Sequence, residues 1–60
     1  MYKFAVKKSA LGHFLTILEH NQSALVTYRG YPHYDYIVEL SKKTDDPYVI
    51  HAPGVKALDN

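Results

Sequence analysis

Apolar and polar residues alternate from Tyr2 to Lys7. Tyr2, Phe4 and Val6 share one face, and Lys3, Ala5 and Lys7 share the other. A period of two is the pattern of a half-buried strand. The period changes after Ser9, which stands where the N-cap of a helix would. Leu11, Phe14, Leu15 and Leu18 follow at i, i+3, i+4 and i+7, a stripe that faces a core. Gly12 weakens the first turn by roughly 1 kcal/mol relative to alanine. Glu19, His20 and Asn21 close the helix, since asparagine tolerates the left-handed conformation that ends helices.

Alternation returns at 24–29, with Ala24, Val26 and Tyr28 opposite Leu25, Thr27 and Arg29. Gly30-Tyr31-Pro32-His33 is a turn signal. Tyr34, Tyr36, Val38 and Leu40 then line one face of a further strand, with Asp35, Ile37 and Glu39 on the other. These two strands make a hairpin. Beyond them, Asp45-Asp46-Pro47 reads as a turn and Tyr48 to His51 as a short last strand. Pro53-Gly54 breaks that strand, and residues 55–60 read as a mobile tail. The expected fold is α+β: a small β-α-β-β(-β) domain spanning residues 1–60, with one helix packed on a short sheet containing antiparallel pairs.

Size adds a constraint. A chain of 60 residues buries only about 60% of its unfolded surface. Scaffolds this small usually add disulfides, a metal or a partner subunit. The absence of cysteine excludes disulfides and thiolate metal sites, so a homodimer is the expected remedy. It also fits a reducing compartment. With 47% hydrophobic residues and a net charge of +1, the chain is too apolar for disorder and too weakly basic for charge alone to imply nucleic acid. The longest mainly apolar stretch, Ala10 to Leu18, is interrupted by Gly12, His13 and Thr16 and is too short to cross a bilayer. No signal-peptide pattern precedes it. A cytoplasmic protein without membrane association is expected.

Candidate chemistry is sparse. There is no cysteine nucleophile, no Gly-rich phosphate loop and no histidine pair at i, i+4. His13 and His20 stand two helical turns apart, on the order of 10 Å, too far to share a zinc ion without a third ligand between them. His33, Asp35 and Ser41 have the residue types of a triad, but nothing activates Ser41. The chain therefore reads as non-enzymatic, with no cofactor and no metal. What stands out is tyrosine: six in the chain, four of them between 28 and 36. Tyrosine offers rigid contact area with a polar tip and is enriched at interfaces. Packing against the helix or a dimer mate is the first account of Tyr28, Tyr34 and Tyr36, ahead of recognition. Tyr31, at the turn tip, has the least structural reason to be there. Tyr31, Tyr34, Tyr36 and His33 are thus the candidate protein-facing residues, and stacking on unpaired bases is a weaker use of the same segment. Lys7 and Lys8, at the start of the helix, are placed to hold a phosphate, although taken alone they are better explained as ordinary solvated lysines.

The run Leu25-Val26-Thr27-Tyr28-Arg29-Gly30-Tyr31-Pro32 resembles the strand-and-turn segment of Phd/YefM-type antitoxins, with Thr27, Arg29, Gly30 and Pro32 matching as they stand. Counting back without a gap, Leu11, Phe14, Leu15 and Leu18 fall on that family's helix-core positions, and Phe4 on its first-strand position. Lys8 falls where the family often carries an operator-contacting arginine. The resemblance covers about residues 2–40. It implies a homodimer that binds operator DNA and neutralises a protein toxin, with Lys7, Lys8 and Arg29 facing duplex DNA. Residues 44–60, which carry Pro47, Pro53 and Gly54, cannot form that family's helical acidic arm. A target would then be bound differently. The alternative is a phage-type inhibitor that masks a host factor without any DNA role.

Overall fold

A computed structural model of the chain describes residues 1–18 and 23–59. Strand β1 (Lys3–Val6) leads through a 3-10 turn (Lys8–Ala10) into helix α1 (Leu11–Ile17). Strands β2 (Ala24–Tyr28) and β3 (Tyr36–Leu40) form the expected hairpin, and helix α2 (Pro47–Ile50) precedes strand β4 (Val55–Ala57). The architecture is α+β, and the four strands among the described residues form one antiparallel sheet of order β2-β3-β1-β4. Register puts Phe4 opposite both Val38 and Ala57, and Val26 opposite Val38. One face of the sheet is therefore continuous from edge to edge.

Both helices pack on that face. Phe4, Val6, Val38 and Leu40 are buried there together with Phe14 of α1, Val49 of α2 and Ala52. The Phe4 and Phe14 rings lie 5.3 Å apart, tilted by 54°, both fully buried. Burying one such ring contributes about 1.5–3 kcal/mol. That contact matters because a seven-residue helix is unstable alone. Thr16 weakens α1 further, since its Oγ1 donates to the Gly12 carbonyl at 2.9 Å, a back-bond that competes with helix geometry. Leu18 leaves the helical region with ψ 152°. The expected closure at Glu19, His20 and Asn21 lies outside the described residues. The apolar stripe is also narrower than its spacing predicts: Leu15 is exposed, whereas Ile17 joins Leu11 and Leu18 against the core.

Three further expectations are corrected. Ser9 does not cap α1; it sits inside the 3-10 turn, and neither that turn nor α1 carries a side-chain cap from its own N-cap residue. Residues 47–50 are helical and not a strand, which gives the fold a second helix. Asp46 is the N-cap of α2, its carboxylate accepting from the Tyr48 amide at 2.9 Å, and Pro47 fills the first helical turn, where its missing N–H costs nothing. Val49 faces the core while Tyr48 is 82% exposed.

Nor is 55–60 a loose tail as far as it is described. Val55–Ala57 pairs with β1, and the Leu58 amide donates to the Lys3 carbonyl at 2.9 Å. The Asp59 carboxylate accepts from the Tyr2 and Lys3 amides at 3.0 Å. The Lys3 amide is the main reason the Asp59 carboxyl is held below the usual aspartate range. Gly54 lets the chain enter β4: its φ is +72°, and a Cβ there would lie 2.8 Å from that of Ala10. Its carbonyl accepts from the Lys7 amide at 2.9 Å.

Candidate binding surface

The hairpin end, residues 29–35, is closed by its own backbone. The Arg29 and Gly30 amides both donate to the Asp35 carbonyl, at 3.2 and 3.3 Å, and the Tyr34 amide donates to the Tyr31 carbonyl at 2.7 Å. Gly30 (φ 61°) and His33 (φ 69°) are both left-handed. Histidine is among the few side chains enriched there, but it still carries strain that glycine would not. The strand begins only at Tyr36, so Tyr34 belongs to this loop and not to the strand face expected of it.

Asp35 ties the loop to the rest of the molecule. Its backbone amide donates to the Val6 carbonyl at 3.3 Å, and its carboxylate accepts from the Lys8 amide at 2.7 Å. That carboxylate occupies the first free amide of the 3-10 turn, the place the sequence reserved for a phosphate. A charge-assisted bond of this kind is roughly twice as strong as a neutral one. The tie makes neighbours of the Tyr-rich hairpin and the lysine-marked junction.

Among the tyrosines, Tyr31 and Tyr34 form a tilted pair with ring centroids 6.2 Å apart. Tyr28 and Tyr36 oppose one another across the hairpin, edge-on at 5.4 Å. Tyr36 is thus spent on a cross-strand pair, while Tyr31 and Tyr34 sit at the tip with the exposed His33.

The basic candidates separate. Arg29 and Tyr31 line a cleft with Lys3, Ile37 and Leu58 on the face of the sheet away from the helices. Lys7 opens on a different cleft beside Ser9, His13 and Pro53. The side chains of Lys7, Lys8 and Arg29 are exposed. Lys3, not singled out from the sequence, belongs with Arg29. Lys3 falls on the odd-numbered, outward face of β1, and Arg29 continues the odd-numbered face of β2 one residue past its end, a placement that alternation alone encodes. Lys3 also pairs with Glu39 at 3.7 Å, both about half exposed, an interaction worth at most about 1 kcal/mol.

His33 and Asp35 lie at one end of β3 and Ser41 at the other, roughly 20 Å away along an extended strand. Ser41 instead faces Ser23, whose amide donates to its hydroxyl at 3.2 Å. Among the described residues, no three His, Asp or Glu side chains gather as a metal site would require. His20 lies outside the described residues. No described helix is long and apolar enough to cross a membrane. Compared with known proteins, the chain matches no family model, no curated protein and no solved structure.

Proposed function

We propose that this chain is a non-catalytic binding protein that acts as a homodimer and occludes a protein partner with the Tyr31–Tyr34 end of its hairpin. The observation that carries the reading is the fixed aromatic tip. Two tyrosines and an exposed histidine are held by backbone bonds to Asp35, and Asp35 is anchored to Val6 and Lys8. Pre-organised aromatic area loses little entropy on binding, which makes such a tip an efficient contact. The strand, helix, strand, strand order of the first 40 residues supports the antitoxin-like version of this reading. The helix-capped, strand-terminated segment after residue 44 supports the version in which the target, a toxin or a host factor, is bound by the domain itself. A cytoplasmic setting fits a chain without cysteine.

Operator binding is the second reading, supported by the exposed cationic side chains of Lys7, Lys8 and Arg29. The Asp35 carboxylate on the Lys8 amide weighs against it, because the amide that would hold a phosphate is already taken.

Capture from nuclease-treated lysate tests the first reading. One protein is expected to be retained stoichiometrically and released by Tyr31→Ala. Retention that ignores Tyr31→Ala sinks the hairpin as the contact. Duplex DNA binding that falls steeply with salt, and that Lys8→Ala weakens, would put the second reading first.

A further inference from the structure

The β2 edge of the sheet carries an unused set of hydrogen-bonding groups. On the β3 side, Arg29 and Ser23 are bonded to Asp35 and Ser41. Bonded and non-bonded pairs alternate along an antiparallel ladder, so Leu25 and Thr27 also bond inward. Ala24, Val26 and Tyr28 therefore direct their N–H and C=O groups outward, and none of these six groups has a partner among the described residues. From Ser23 to Tyr28 the edge has no charge and no proline. Those are the usual devices that keep an edge single. Leu25 is 66% exposed and Tyr28 71% exposed.

We propose that this edge pairs with β2 of a second copy of the chain, antiparallel about a two-fold axis through Val26, to give one eight-stranded sheet. The inference rests on the dimeric reading above and specifies its interface. Only a register that sets outward residues against outward residues makes the bonds, and the one centred on Val26 uses all three. Val26 then faces its own copy, and Tyr28 faces the partner's Ala24. The exposed ring thereby covers a small side chain, on the helix-bearing face, where Tyr28 lies by alternation. On the other face, Leu25 meets the partner's Thr27. An uncharged edge meeting an identical uncharged edge brings no like charges together. Burying the strand edge with most of Leu25 and Tyr28 removes roughly 400 Å² per protomer, about half of what a standard stable interface takes. The dimer is accordingly reversible, with a dissociation constant on the order of micromolar or weaker.

The test is sedimentation equilibrium of the whole chain from about 1 μM to 1 mM, for wild type and Thr27→Lys, with thermal melting to verify the fold. Thr27 is exposed, and its side chain is not part of the core. Wild type is expected to dimerise with concentration, and Thr27→Lys to dissociate at least tenfold more readily with an unchanged melt. The register has its own readout, because the chain has no native cysteine. Leu25→Cys mixed with Thr27→Cys should cross-link on oxidation, while either alone should not. A dimer that ignores Thr27→Lys, or cross-linking of each variant with itself as efficiently as in the mixture, overturns the edge pairing and leaves the dimeric reading standing. A monomer throughout overturns both, and the role of Tyr31 is still judged by its own capture experiment.

Discussion

β2 and β4 are the two edges of the same sheet and are finished differently. β2 offers five uncharged residues and six outward backbone groups. β4 is three residues long, is entered through Pro53 and Gly54, and carries Lys56 at its centre. Part of its outward side is already used, since the Val55 amide donates to the Ala52 carbonyl at 3.2 Å. Shortness, a lysine and a local bond are standard protection against strand addition. Their presence on one edge and absence from the other shows that edge protection in this fold is selective. It also means that pairing through β2 closes on itself: a two-fold contact leaves two copies of β4 at the outside, and growth stops there.

The largest effect on the contrast between the two edges is expected at the entry to β4. Gly54→Ala forces a Cβ to within 2.8 Å of that of Ala10 at a left-handed φ and should cost about 2–4 kcal/mol. The urea midpoint reads this directly, and an unshifted midpoint would mean β4 contributes little. A gain is expected at the hairpin end: His33→Gly relieves the left-handed strain and should add about 1 kcal/mol, visible as a higher melting temperature. If stability falls instead, the histidine side chain has a role in the loop that its exposure conceals. Lys56→Val should change stability by less than about 0.5 kcal/mol, yet it makes β4 resemble β2. Light scattering is then expected to detect species larger than a dimer, and a strictly dimeric variant would show that shortness alone protects this edge. The smallest effect is that of pH. Hydrogen bonds to Asp59 hold its folded-state carboxyl below its usual range. The stability it lends is therefore present above the unfolded value and lost as pH falls through the folded one. Wild type should melt above Asp59→Asn by a small, constant margin from pH 7 down to about pH 4, and that margin should vanish at lower pH; a margin unchanged at every pH would remove Asp59 as a clamp.

Legibility in the sequence followed the range of the interactions. β1, α1 and the hairpin carry their periods over enough residues to be read locally, and Phe4, Phe14 and Val38 fall where those periods put them. α2 is four residues long, too short for a helical period to appear, so Tyr48-Val49-Ile50-His51 looks the same as a strand. Asp46-Pro47 did hold the signal, as an N-cap followed by a first-turn proline, but it reads as a turn unless a helix is sought after it. β4 has no local signature, because what makes it a strand is β1, some fifty residues earlier. At the surface, the tyrosine cluster was plain from composition. The Asp35–Lys8 bond, which joins that cluster to the lysine junction and fills the helix start, spans 27 residues and leaves no mark in either segment.

The place of β1 inside the sheet also bears on how the protein is made. Of the four described strands, the earliest in the chain is enclosed on both sides, by β3 and then by β4. A growing chain displays Phe4 and Val6 with only α1 to cover them until residues 36–40 have emerged, and β1 keeps a bare flank until residue 57 follows. Folding is thus deferred to the end of this stretch of translation, and a ribosome halted anywhere short of it holds an unclosed sheet, open to chaperones and proteases alike.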